Sequence, residues 1–234
     1  MTAPAISIII PILNEAETLG ETLAGLPRAP DLEVILVDGG STDNTLRVAA
    51  DFSHVQVITA ARGRGRQMNA GAVASAGDLL AFLHADTLLT TEHLKGLRRA
   101  AADPHFAAGA FELYLTPPVP ALRFIAWGAN RRARFFGLPY GDQVLILRRS
   151  LFWSLGGFTH RRLEDLDLVL RLKGRARLRL LRPPVSSSGR RWLERGYLRA
   201  TLKNWLTLAL HLAERALTNR WPEKGDLVAC GRGG

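Results

Sequence analysis

Leu32-Glu33-Val34-Ile35-Leu36-Val37-Asp38, opening at once into Gly39-Gly40-Ser41-Thr42-Asp43, is the stretch that decides the fold. An unbroken apolar run that stops at a carboxylate and breaks into glycines reads as a strand buried on both faces and ending in a loop. A second run repeats the pattern, Leu79-Leu80-Ala81-Phe82-Leu83-His84-Ala85-Asp86. Ligands of open α/β sheets collect outside the carboxyl ends of the strands, so Asp38 and Asp86 point to one ligand site.

Outward from these two runs, strands and helices alternate. Ile6 to Leu13 is a strand, Glu15 to Leu26 has helical apolar spacing, and Thr42 to Phe52 is a second helix. Val55 to Thr59 is a third strand, Gln67 to Ala76 an alanine-rich helix, and Leu79 to His84 a fourth strand. That rhythm predicts an α/β fold, a mainly parallel buried sheet with helices on both faces. Past Thr90 the rhythm changes: helices over Glu92 to Ala102, Ala121 to Phe135 and Leu163 to Leu172, and strands over Ala107 to Leu115, Leu138 to Arg148 and Arg175 to Leu181.

The 234 residues, 47% of them hydrophobic, exclude a fully disordered chain and suit one large domain. The single cysteine, Cys230, excludes an intrachain disulfide and a cysteine-based zinc site, which fits a reducing, cytoplasmic compartment. The start reads as a strand and not as a signal peptide, and no stretch reaches the length of a spanning helix. The net charge of +10 is uneven: Arg171 to Lys203 holds eleven Lys or Arg against one acid, Glu194, whereas the first 50 residues carry more acids than bases. Such a stretch suits either an anionic partner or a solvated arginine-rich face.

Four segments together resemble family 2 glycosyltransferases of the A-type fold. They are Ser7 to Glu15, Val37 to Asp43, Gly77 to Asp86, and Gly156-Gly157-Phe158 followed by Leu163-Glu164-Asp165-Leu166-Asp167. Leu83-His84-Ala85-Asp86-Thr87 and Gly141-Asp142-Gln143 are similar to a small bacterial subgroup associated with radical-SAM and selenium-domain proteins. The resemblance implies an inverting, metal-assisted enzyme taking a nucleotide sugar, UDP-linked, to a hydroxyl acceptor, lipid or small molecule. It implies no nucleic-acid partner.

It also implies roles. Pro11, Leu13, Glu15 and Asp38 meet the nucleoside, where an ionised carboxylate accepts from imide and hydroxyl donors. Asp86 holds a divalent metal, Mg or Mn, on the diphosphate. The usual first acid of that motif is replaced by His84, with Ala85 between; imidazole is a poor magnesium ligand but suits manganese. Arg62, Arg66 and Asn69, in Arg62-Gly63-Arg64-Gly65-Arg66-Gln67-Met68-Asn69-Ala70-Gly71, read as a diphosphate clamp, since arginine forks and a helix start suit phosphate. Asp165 is the base, Glu164 orients it or bonds the acceptor, and Asp142 meets acceptor or donor sugar. On the residues alone, Ser41 and Asp43 are equally explained as caps, His84 as a hydrogen-bonded strand end, and Glu164 and Asp165 as first-turn acids favoured by the helix dipole.

The expected organisation is a catalytic domain over 1–185, a basic and apolar helical segment over 186–222, and a flexible tail over 223–234. Tyr197 to Leu217, flanked by Arg190, Arg191, Arg195, Arg199 and Lys203, suits either an anionic membrane surface or packing on the domain or a second subunit. Two other activities compete. A nucleotidyltransferase usually has a glycine-rich loop after the first strand, where this chain has Asn14-Glu15-Ala16-Glu17. A non-enzymatic basic binding module leaves the acidic motifs unexplained.

Overall fold

The computed structural model describes residues 5–159 and 163–195. In chain order its elements are β1 (Ile6–Ile12), α1 (Leu19–Gly25), β2 (Leu32–Asp38), α2 (Thr45–Ala50), β3 (Val55–Thr59), α3 (Arg64–Ala74), β4 (Leu79–Phe82), β5 (Thr87–Leu88), α4 (Thr91–Ala102), β6 (Ala108–Thr116), α5 (Pro120–Phe136), β7 (Leu145–Arg148), α6 (Arg149–Ser154), α7 (Glu164–Leu172), β8 (Leu178–Ser188) and α8 (Arg190–Arg195). A single 3-10 turn, Gly141–Gln143, precedes β7.

One eight-stranded sheet runs β3-β2-β1-β4-β7-β6-β8-β5. The first four strands are parallel, as their continuous apolar sequences require. The register pairs Ile12 with Asp38 and Asp38 with Thr59, so three strands end on one line. β7 then joins β4 antiparallel, and β8 lies parallel to β6. The expected mainly parallel α/β fold is therefore present, with antiparallel strands added on the β7 side.

The alternation of β1 divides the core. Ile8, Ile10 and Ile12 pack with Leu19 and Leu23 of α1 and Leu94 of α4 on one face. Ile9 packs with Met68 of α3, Phe152 of α6 and Leu166 of α7 on the other. A smaller cluster joins α5, through Leu122, Ala126 and Ala129, to Leu113, Leu115 and Trp192.

β5 and α6 were not expected, α3 starts at Arg64 and not at Gln67, and three further differences have a physical reason. The strand expected over Leu138 to Arg148 is cut short, because Gly141-Asp142-Gln143 turns and Val144 takes a positive φ of 55°. The strand expected from Arg175 starts after the Gly174 turn and runs on to Ser188. The helix expected from Glu15 starts at Leu19, because the N–H groups of residues 14–16 are taken by the facing loop. The helix expected over Tyr197 to Leu217 lies outside the described residues.

Candidate active site

At the carboxyl ends of β1 and β2 two loops interlock. The N–H of Asn14 donates to Ser41 Oγ (3.0 Å), that of Glu15 to Thr45 Oγ1 (2.8 Å) and that of Ala16 to Asp43 Oδ2 (3.3 Å), while Asn14 Oδ1 accepts from the N–H of Thr42 (2.8 Å). Pro11, Leu13 and Glu15 are half-buried along this rim. Asp38, only 2% exposed, closes its own turn by accepting from the N–H groups of Gly40 (3.0 Å) and Ser41 (3.1 Å). The Ser41 hydroxyl also donates to Asp38 Oδ1 (2.5 Å), so both carboxylate oxygens are engaged inside the turn. The structure brings the four expected nucleoside residues to one rim, and gives Ser41 and Asp43 work inside the loop.

α3 forms the shared wall of the site. Gly63, at φ 136°, makes the sharp entry that only glycine adopts readily, and no side chain caps the helix start. Arg62 and Arg66 are exposed there. Buried Gln67 donates to the carbonyls of Ile12 and Val37 (2.8 Å each), fixing the first turn of α3 over the ends of β1 and β2. Gly71 lets the helix lie close: a Cβ there would stand 2.4 Å from Ile9 Cγ2 and 3.0 Å from Val37 Cγ2. The amide of Asn69 is given to the fold, donating to the Phe158 carbonyl (2.8 Å) and accepting from its N–H (2.9 Å). Asn69 thus ties α3 to the Gly156-Gly157-Phe158 loop. The same loop is held from α7 by Arg171, 2% exposed, which pairs with Asp167 (2.7 Å) and donates to the Gly157 carbonyl (2.8 Å).

The acids gather around Gly141, with Glu164 against α3. Asp165 Oδ2 accepts from the N–H of Gly141 (2.7 Å) and its Oδ1 from that of Leu166 (2.8 Å). A Cβ on Gly141 would lie 2.7 Å from His84 Nε2 and 3.3 Å from Asp165 Oδ2, so those two groups stand within about 6 Å of each other. Glycine at 141 is what makes room for the imidazole. Glu164 is buried beside them, 3.7 Å from Arg64 of α3. Burial raises its carboxyl above the usual range, the neighbouring Asp165 adds to this, and Arg64 opposes it. Tyr140 is half-buried under the guanidinium of Arg132, 3.6 Å from the ring centre. Burial raises its phenol, Arg132 lowers it, and the charges of Asp165 and Asp142 raise it again, so a neutral O–H stands beside the acids.

His84 and Asp86 share one turn, in which the His84 carbonyl accepts from the N–H of Thr87 (3.1 Å). Ala85, between them, is buried and its carbonyl accepts from Thr22 Oγ1 (2.6 Å). Asp86 is half-buried, with Thr87 Oγ1 at 3.4 Å. Among the described residues no three His, Cys, Asp or Glu form a metal-holding group. Asp86 offers one carboxylate, which together with substrate phosphates suits a divalent cation.

Among the described residues, the only non-glycine residues with positive φ are Asn14, Val144 and Leu163. They lie on the rim at the ends of β1 and β2, after the Gly141–Gln143 turn, and directly before Glu164. A β-branched residue at φ 55° stores strain of about 1–3 kcal/mol, and such strain gathers at functional sites. The sequence reading gave no role of their own to Gly141, Tyr140, Arg132, Arg64 and Gln67, although Gly141 stands in a quoted motif and Arg64 and Gln67 in the arginine- and glycine-rich segment.

Residues 7–155 match the family described as Glycosyl transferase family 2, and the chain belongs to that family. It is a glycosyltransferase of the A-type fold. A PGL/p-HBAD biosynthesis glycosyltransferase of Mycobacterium tuberculosis is 31% identical over 183 residues, 73% of this chain and 70% of that relative. Among solved structures, the mannosyltransferase PcManGT from Pyrobaculum calidifontis, in complex with GDP-Man and Mn2+, matches with TM-score 0.67 and 22% identity, over 95% of this chain and 67% of that one. S. aureus TarS with UDP-GlcNAc matches with TM-score 0.62 and 20% identity, over 78% of this chain, and this chain spans 58% of that one.

Proposed function

We propose that this chain transfers a sugar from a UDP-linked donor to a hydroxyl acceptor, with inversion, assisted by Mg2+ or Mn2+. The observation that carries the reading is that Asp165 and His84, the latter two residues before Asp86, both border Gly141. The acceptor oxygen bonds to the anomeric carbon from the face opposite the diphosphate, the bond from that carbon to the diphosphate oxygen breaks, and Asp165 takes the acceptor proton. Glu164 and the Gly141 N–H position Asp165, Asp142 meets a sugar hydroxyl, and Tyr140 donates its O–H. Pro11, Leu13, Glu15 and Asp38 bind the nucleoside. Arg62, Arg66 and the uncapped start of α3 meet the diphosphate, and Asn69 serves by positioning α3.

Asp86 would hold the metal together with donor phosphate oxygens, and His84 favours manganese. When bound, the cation supplies charge stabilisation for the departing diphosphate. The His84-Ala85-Asp86-Thr87 and Gly141-Asp142-Gln143 segments support membership of the radical-SAM-associated subgroup, and the lone Cys230 supports a cytoplasmic reaction.

Thermal-shift screening of UDP and GDP sugars, with and without MnCl2, tests the reading. A donor at about a hundred times its Kd adds roughly 2.7 kcal/mol, or about 5–10 °C for a chain of this size. One donor is expected to raise Tm, more so with Mn2+, and Asp86→Ala to remove the manganese-dependent part. No shift with any sugar nucleotide contradicts it.

A further inference from the structure

The exposed face of α5 is built unlike an ordinary solvated helix. Phe124 (70% exposed), Trp127 (53%) and Phe135 (67%) stand with Arg131 at i, i+3, i+7 and i+11 on one stripe, opposite the buried Leu122, Ala126, Ala129 and Ala133. Phe136, 63% exposed, flanks it. Phe124 and Trp127 stack at 5.6 Å, and the Arg131 guanidinium bridges Trp127 (5.0 Å) and Phe135 (5.6 Å). The helix has four arginines, Arg123, Arg131, Arg132 and Arg134, and no acid.

We propose that α5 lies in the interface of an anionic lipid bilayer, its aromatic rings among the headgroups and Arg123 and Arg131 against lipid phosphates. Exposed aromatics interleaved with arginines on a helix of modest hydrophobicity are what such a surface selects. Charge complementarity favours this occupant. A second copy would bring the same arginines face to face, and the chain's own segment 196–217 adds Arg199, Lys203 and Arg215 against one acid, Glu214. No described helix is long and apolar enough to cross a membrane.

The same helix feeds the site. Gly137 to Tyr140 lead directly into the Gly141–Gln143 turn, Arg132 donates to the Leu138 carbonyl (2.9 Å) and covers Tyr140, and Asn130 Oδ1 accepts from Gln143 Nε2 (3.3 Å). A bilayer under α5 therefore adjoins the Asp142 side of the cleft, and the acceptor is a lipid-borne hydroxyl. That last clause rests on the transferase reading, whereas the membrane contact does not.

Co-sedimentation of the full chain with phosphatidylcholine vesicles, with and without phosphatidylglycerol, tests the contact without any sugar nucleotide. The wild type is expected to pellet with the anionic vesicles only, and less at high salt. The variants F124S/W127S/F135S and R123E/R131E are expected to bind tenfold or more weakly, at unchanged circular dichroism and Tm, with R131E alone as the mildest version. Binding indifferent to phosphatidylglycerol, or no vesicle binding, overturns the proposal. So does wild-type pelleting by the variants, which would move binding to residues 196–217, or a dimer abolished by them, which would make this face a subunit interface. Slow donor hydrolysis in solution reports separately on the transferase reading.

Discussion

Gly141→Ala separates a structural from a chemical role for the position that both Asp165 and His84 border. Gly141 has no positive φ, so alanine is unstrained there by itself. Its Cβ would stand 2.7 Å from His84 Nε2 and 3.3 Å from Asp165 Oδ2. Ordinary contact needs about 3.4 Å or more, so the imidazole must move by about 0.7 Å and the carboxylate by little. The imidazole is the far end of a side chain and yields readily. The folding cost is therefore small, about 1 kcal/mol, or a Tm lower by about 2–4 °C. Catalysis pays more for the same shift, because a misplacement of about 1 Å among reacting groups costs on the order of a hundredfold. The assay is release of nucleoside diphosphate from the donor identified by thermal shift, together with donor Kd. We expect kcat to fall about a hundredfold with Kd changed by less than about threefold. A kcat within about threefold of wild type would refute the placing of the reaction here. A Tm loss above about 10 °C would refute the claim that His84 yields.

Glu164→Gln is expected to raise Tm at neutral pH. Burial lifts the Glu164 carboxyl above its ordinary value, so its contribution to stability is complete below about pH 4.3 and is lost as pH rises through the raised value. Glutamine mimics the neutral form, so the gap to wild type should close as pH approaches 4; a lower Tm at pH 7 would mean that Arg64 outweighs burial. Gly71→Ala drives a methyl against Ile9 and Val37, both in the core, and should cost about 1–3 kcal/mol in chemical denaturation. An unchanged denaturation midpoint would show that α3 can lift from the sheet without penalty.

The half of the site built on parallel strands was legible because its chemistry is local in sequence. Asp38 and Asp86 follow apolar runs that can only be buried strands, and a strand end in such a sheet is a ligand position. The acidic half was less legible because it is assembled from distant segments. Gly141 and Asp165 are 24 residues apart and meet through one N–H, and nothing in the periodicity around residue 141 announces the partner. Asn69 shows the reverse: its setting among arginines and glycines suggested a ligand, and its amide turns out to hold the backbone of Phe158. The antiparallel entry of β7 was hidden for a similar reason, since an apolar run such as Val144 to Leu147 reads alike in either direction.

The base role of Asp165 is tested most directly by Asp165→Asn. The amide keeps its oxygen for the Gly141 N–H, gives up the bond from the Leu166 N–H, and loses the capacity to take a proton. Transfer measured at saturating donor should fall by about 10²–10⁴-fold while donor Kd stays as in the wild type and Tm falls by no more than about 2–4 °C, the cost of one hydrogen bond. Wild-type turnover by this variant would contradict the account.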